Sequence, residues 1–183
     1  MSGNKRFRKI REEDLPMIMD WRMRPNITKY MYTDPKLTLE GQKKWFEKIS
    51  ADSNSFYWIF EVDGAPMGVE NLADWDRKNN SIHSGGYIAE ASGRGLENVL
   101  DVNMNLFNYA FEVLKVNRLA AEIMDNNMSQ LSWMKRFGFK EEGVGRQEII
   151  KDGRTFDIYH LSILASEWPE VIKKVHFNRI EIE

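Results

Sequence analysis

The chain has 183 residues, 42% of them hydrophobic, 12% aromatic and 30% charged, the profile of one globular domain long enough to bury a core. A net charge of −2 excludes phosphate-backbone binding as the main task, because nucleic-acid binders carry a basic excess. The absence of cysteine excludes disulfides, thiolate metal sites and a Cys nucleophile. No metal site is expected, and no window approaches the roughly 18 apolar residues of a membrane span, so the expected location is the cytoplasm, away from any membrane.

In chain order, Phe7 to Arg11 alternates apolar and basic residues as a short strand does, and Asp14 stands as a helix cap before Leu15-Pro16. The helix that follows turns Leu15, Ile18, Met19 and Trp21 toward a core and stops near Arg24-Pro25, because the residue before proline is pushed out of the helical region. Thr38 caps a second helix with an apolar face of Leu39, Trp45, Phe46 and Ile49. Phe56 to Val62 and Met67 to Leu72 are apolar runs separated by Asp63-Gly64, a hairpin signal. Ile82 to Ala89 is a further strand.

That strand runs into a short glycine loop, Ala91-Ser92-Gly93-Arg94-Gly95-Leu96-Glu97, and then into a long amphipathic helix from about Glu97 to Lys115. A helix start preceded by small residues presents unpaired N–H groups and a positive dipole end, where a pyrophosphate can sit. Glycines at a strand-to-helix turn also occur with nothing bound, so the loop by itself leaves both readings open. Leu119 to Met124 is then a short buried strand. Asn127 caps the next helix with Gln130 as its capping-box partner, Leu131, Met134 and Phe137 form the apolar face, and Gly138 closes it. Strands at about Glu142 to Ile150 and Thr155 to Leu164 flank a turn at Asp152-Gly153. Ser166 caps a terminal helix carrying Trp168, Val171, Ile172 and Val175.

This order of elements resembles the GCN5-related N-acetyltransferase (GNAT) family. The likeness covers Phe7 to Leu164 and rests on Trp21-Arg22 with Ile27-Thr28-Lys29-Tyr30-Met31, on Pro66-Met67-Gly68-Val69, on Tyr109-Ala110-Phe111, on Asn127 with Lys135-Arg136-Phe137-Gly138-Phe139, and on Asp152-Gly153-Arg154. The most similar subgroups are amino-sugar N-acetyltransferases of the pseudaminic-acid pathway, spermidine N-acetyltransferases and ribosomal-protein N-terminal acetyltransferases. The resemblance implies a three-layer α+β fold: a mixed sheet of about seven strands flanked by about four helices. It gives one domain over residues 1–165, with 166–183 as a C-terminal helical extension.

It also implies direct transfer of acetyl from acetyl-CoA to a primary amine of a small molecule, such as a nucleotide-linked amino sugar, with a polyamine or a protein N-terminus as alternative acceptors. Family members often pair as homodimers. Backbone at Ile88 and Ala89 would hold the pantetheine arm, Gly93, Arg94, Gly95 and Leu96 the pyrophosphate, and Asn127 a further part of CoA. Glu70 and His83 are the candidate bases, each set against the commoner reading as an ordinary strand residue. Trp21, Arg22, Lys29 and Tyr30 are candidate acceptor contacts. Arg22, Arg24 and Lys29 suit phosphates, and Trp21, Trp75 and Trp133 suit stacking, against plainer readings as a solvated edge and as packing.

Two residues depart from the family pattern. Glu97 stands where a final Gly or Ala normally lets the backbone close on the pyrophosphate, and a carboxylate about 5 Å from a phosphate charge costs on the order of 3 kcal/mol at an effective dielectric near 20. Met134 stands where many relatives carry a Tyr that protonates the leaving thiolate. Both departures leave open a rival of another class, a catalytically silent GNAT-fold binding domain.

Overall fold

The computed structural model describes residues 3–183. Its eight strands are β1 (Lys5–Lys9), β2 (Phe56–Val62), β3 (Ala65–Asp76), β4 (Ser81–Ile88), β5 (Arg118–Met124), β6 (Lys140–Lys151), β7 (Arg154–Leu164) and β8 (Glu181–Ile182). They form one sheet in the order β6-β7-β5-β4-β3-β2-β1-β8. Neighbours are antiparallel except β4 with β5 and β1 with β8. The helices are α1 (Leu15–Met23), α2 (Pro25–Thr28), α3 (Leu39–Ala51), α4 (Leu96–Asn108), α5 (Met128–Arg136) and α6 (Trp168–Ile172).

The sheet separates two apolar layers. On one face α4, α5 and α6 pack Val102, Leu106, Leu131, Met134 and Trp168 over Phe7, Trp58, Phe60, Leu72, Ile82 and Leu119. On the other, Ile18 and Trp21 of α1, with Trp45, Phe46 and Ile49 of α3, cover Ile59 and Val69. This is the three-layer arrangement that period-2 strands and period-3.6 helices dictate when each buries one face.

Turn chemistry matches expectation where glycine is placed for it. Asp63 (φ 51°) with Gly64 (φ 77°), and Asp152 (φ 51°) with Gly153 (φ 71°), are left-handed pairs that join β2 to β3 and β6 to β7. Thr38 Oγ1 accepts from Gly41 N at the start of α3, and α1 ends at Met23, ahead of Pro25.

Three local expectations are corrected. Asp14 does not cap α1, because Arg8 donates to both of its carboxylate oxygens and Arg11 N donates to Oδ2. It closes a 3-10 turn, Glu12–Asp14, that leads into the helix. Ser166 does not cap the terminal helix either. α6 follows Glu167 and spans only five residues, after which the tail runs extended to β8 on the free edge of β1. That pairing satisfies backbone groups an edge strand would leave open, and it makes the sheet eight-stranded rather than seven-stranded. Finally, the helical stretch after the glycine loop continues past Asn108 as a wider π turn, Tyr109–Val113, before Lys115 reverses the chain at φ 56°.

Candidate active site

β4 and β5 run parallel and pair only through Ser81–His83 with Arg118–Ala120. Beyond that point β4 stays with β3 as far as Ile88, and β5 stays with β7 as far as Met124. A slot opens between the two strands toward their carboxyl ends. The glycine loop and α4 start at the end of β4, and α5 starts at the end of β5. Ala89 N donates to Met67 O on the β3 side, so by strand alternation the N–H groups of Gly86 and Ile88 face the slot.

The loop Ala91–Arg94 forms a 3-10 turn, and Gly95 is the N-cap of α4. Gly95 has no side chain to cap the helix, and the first intrahelical bond runs from Val99 N to Gly95 O. The first-turn N–H groups therefore meet no cap from the loop. A Cβ on Gly95 would have open space around it, whereas one on Gly93 would stand 2.9 Å from Ile88 and Met67 side-chain atoms. Gly93 is thus required for packing, and Gly95 leaves the approach to the helix start clear. The backbone of this slot and cradle fits a pantetheine arm and a pyrophosphate.

The Arg94 side chain turns back onto the strand that precedes the loop. Its Nε donates to Ile88 O and its Nη2 to Ala89 O, so the guanidinium ties the loop to the end of β4. Those two carbonyls are thereby taken. Glu97 is held by Lys5 Nζ at 2.7 Å and by Asn178 Nδ2 at 3.1 Å. Asn127 performs its expected cap, accepting from Gln130 N at 3.4 Å. Met134 is 2% exposed within the core, so no proton donor stands at that position.

The two candidate bases lie on opposite faces of the sheet. Glu70 pairs with Gly86 and Ala73 with His83, and an odd separation along a strand reverses the side chain. His83 is exposed. Glu70 is 7% exposed, and burial alone pushes its carboxyl from 4.5 up to about 8. The Glu70 carboxylate fills the space that the missing side chain of Gly86 leaves: a Cβ there would stand 2.1 Å from Oε2 and 2.7 Å from Val69 O. Gly86 also adopts φ 152°. Glu70 is therefore seated against the stretch of β4 that has parted from β5.

Trp21 is 1% exposed and its Nε1 donates to Glu90, so it lies beneath the surface and offers no stacking face. Arg24 is committed to Asp20 and Glu90. Lys29 lies over the ring of Tyr30, with Nζ 4.5 Å from its centroid. Among the described residues Arg22 donates to Thr33, to Oγ1 at 3.2 Å and to O at 3.5 Å, and desolvation lowers its pKa. Trp75 and Trp133 pack against the α4 face, with Arg77 and Arg136 over their rings.

A side-chain group that sequence reasoning did not single out lies where residues 29–34 cross the sheet. Tyr32 Oη donates to Glu122 Oε2 at 2.7 Å, and His160 stands between Glu122 and Glu148. Lys151 holds the same segment through Thr28 O, Met31 O and Asp34. Gly85-Gly86 inside a strand was the available sequence signal for the slot, since glycine there marks a close approach. Nothing local linked Tyr32 to Glu122, 90 residues apart.

The family model described as an acetyltransferase (GNAT) domain matches residues 6–140. The chain is 32% identical over 119 residues to the putative ribosomal N-acetyltransferase YdaF of Bacillus subtilis, a match spanning 64% of each chain. It is 28% identical over 128 residues to the acetyltransferase PseH of Campylobacter jejuni, covering 69% of this chain and 77% of that one. In fold it is similar to the spermidine N-acetyltransferase of Vibrio cholerae crystallised with CoA and spermine, at TM-score 0.84 and 19% identity over 91% of this chain and 98% of the other. Matched by that model over residues 6–140, and with a parted β4–β5 pair and an uncapped start of α4 as its candidate cofactor site, the chain belongs to the GNAT acetyltransferase family.

Proposed function

We propose that this protein transfers acetyl from acetyl-CoA to a primary amine of a small molecule, with Glu70 as the proton acceptor. The observation that supports this most directly is the placement of Glu70: buried, at the parted stretch of β4, with its carboxyl raised to about 8. A base with that affinity takes a proton from an ammonium group near neutrality, directly or through one water. The slot-facing N–H groups of Gly86 and Ile88 and the first turn of α4 hold the donor, which supplies the acetyl group as a thioester. The deprotonated amine nitrogen bonds to the thioester carbonyl carbon, the C–S bond breaks, and the sulfur leaves with the electron pair. Met134 has no proton to give, so the thiolate takes, through water, the second proton that the nitrogen sheds as it becomes an amide.

Two acceptor classes are each supported by a different feature. The Arg22 guanidinium, engaged by Thr33 among the described residues, supports a nucleotide-linked amino sugar, whose phosphates a guanidinium matches. The engagement of Arg24, Lys29 and Lys151 within the protein favours instead a polyamine, which needs no cation to read it. The test is release of CoA thiol by purified protein given acetyl-CoA and a panel of amino sugars, their nucleotide conjugates, polyamines and peptides, with the product weighed by mass spectrometry. Turnover with one class is the expected result. CoA binding without release on any amine would replace this reading with a binding-only domain.

A further inference from the structure

Lys5 belongs to β1, yet its ammonium reaches the first turn of α4. Nζ donates to Glu97 Oε1 and to Asp101 Oδ2, both at 2.7 Å, and the Lys5 side chain is almost wholly buried. Asp101 is completely buried and receives two further hydrogen bonds, from Asn178 N and Asn178 Nδ2. Its needs are thus shared between the ammonium and the tail. Glu97 is the second residue of α4, immediately beside the helix start where a pyrophosphate would sit. A carboxylate so placed lowers the affinity of that helix end for an anion unless a cation balances it. Arg94, the cation within the loop, is turned onto the carbonyls of Ile88 and Ala89. A cation that holds Glu97 comes from β1, 92 positions earlier in the chain.

We propose that Lys5 is a positioning residue of the cofactor cradle, pinning the Glu97 carboxylate toward β1 and the tail and so away from the start of α4, where the pyrophosphate of acetyl-CoA is accepted. This rests on acetyl-CoA as the donor, and it accounts for how the chain carries an acidic residue at a position that otherwise opposes the ligand. Contact with the tail through Asn178 Nδ2 gives the carboxylate a second hold in the same direction.

Simple removal of Lys5 would strand the buried Asp101, so the test uses Lys5→Met with Asp101→Asn, which leaves an uncharged interior and an acceptor for Asn178. Calorimetric titration of CoA compares wild type, Lys5→Met/Asp101→Asn, and the same pair with Glu97→Gln added. The double variant is expected to bind CoA about tenfold more weakly than wild type, with the deficit shrinking as salt rises. Glu97→Gln is expected to restore affinity to within about twofold while leaving Tm where the double variant has it. Undiminished binding by the double variant, or a deficit that Glu97→Gln does not recover, would overturn the inference and leave the donor assignment intact. Failure of wild type to bind CoA would overturn both.

Discussion

Glu70 combines two properties that an ordinary strand glutamate does not have: near-complete burial and a neighbour, Gly86, that lacks the atoms to fill its space. Glu70→Gln keeps the shape and removes the titration. Acetyl transfer at pH 7 is expected to fall by about 10²-fold or more with CoA binding unchanged. The wild-type rate should rise with pH through about 8, the value to which burial raises the carboxyl, and the variant should lack that limb. A wild-type pH–rate profile that is flat from 6 to 9 would remove Glu70 from the role. The same burial has a stability consequence of defined sign. Because the folded value lies above the ordinary 4.5, the folded state holds the proton more tightly. Its contribution is fully present below 4.5 and is lost as pH rises through about 8. Glu70→Gln should therefore gain stability relative to wild type as pH rises across that window, read by urea midpoints.

At the scale of elements, the middle of β4 and the C-terminal tail carry the arrangement. Gly86 sits at φ 152° with Glu70 Oε2 2.1 Å and Val69 O 2.7 Å from any added Cβ. Gly86→Ala is expected to displace the carboxylate and cost about 1–3 kcal/mol of stability. Gly95→Ala, where the added atom meets open space, should leave Tm nearly unchanged, and the pair of thermal melts checks the contrast. The tail binds by many small contacts. Asn105 accepts from Ile180 N and donates to Asn178 O, and Trp58 Nε1 donates to Glu183 O. Glu183 N also reaches Phe7 O, next to the β8 pairing. Deleting residues 176–183 strips Asn178 from the buried Asp101 and Glu97. A lower Tm together with weaker CoA binding is expected, since both carboxylates then lose the hydrogen bonds of Asn178. Equal Tm in the full and shortened chains would show that the tail is an unneeded cover.

Over the whole molecule, buried charge concentrates on β1. Arg8 is bound by Asp14 and Glu61, and Lys5 by Asp101 and Glu97. Burial pushes the Asp14 and Glu61 carboxyls up, but the hydrogen bonds and charge of Arg8, joined by Arg11 at Asp14 and by Arg6 at Glu61, together outweigh it and hold both below their usual range. Groups depressed in this way stabilise the fold above their unfolded values of 3.8 and 4.5, and that stability is lost as pH falls through the folded ones. Glu70 acts with the opposite sign from 4.5 upward. The two effects place the stability maximum on the acidic side of neutrality, at about pH 5, and thermal melts at about pH 3, 5 and 9 check it. The highest Tm is expected at the middle value.

Most elements were legible along the chain because their causes are local. The Asp-Gly pairs at 63–64 and 152–153 need positive φ, Pro25 ends α1, Thr38 and Asn127 supply caps, and the apolar spacing of α4 marks its buried face. The glycine loop was legible as a helix start with small residues before it. Long-range contact decided what those residues do. Alternation showed that Glu70 and His83 differ in face only once pairing with β3 and β4 was fixed. Trp21 looks like a stacking platform in one dimension and is a core residue in three. Asp14 has the chemistry of a cap, and the nearby Arg8 outcompeted the helix for it. The sequence by itself determined the order of elements and the glycine turn ahead of α4, since propensity and periodicity act between neighbours. Only the tertiary structure decided the pairing of Glu97 with Lys5, the burial of Glu70 and the parting of β4 from β5, because charge balance and desolvation depend on which distant segments meet.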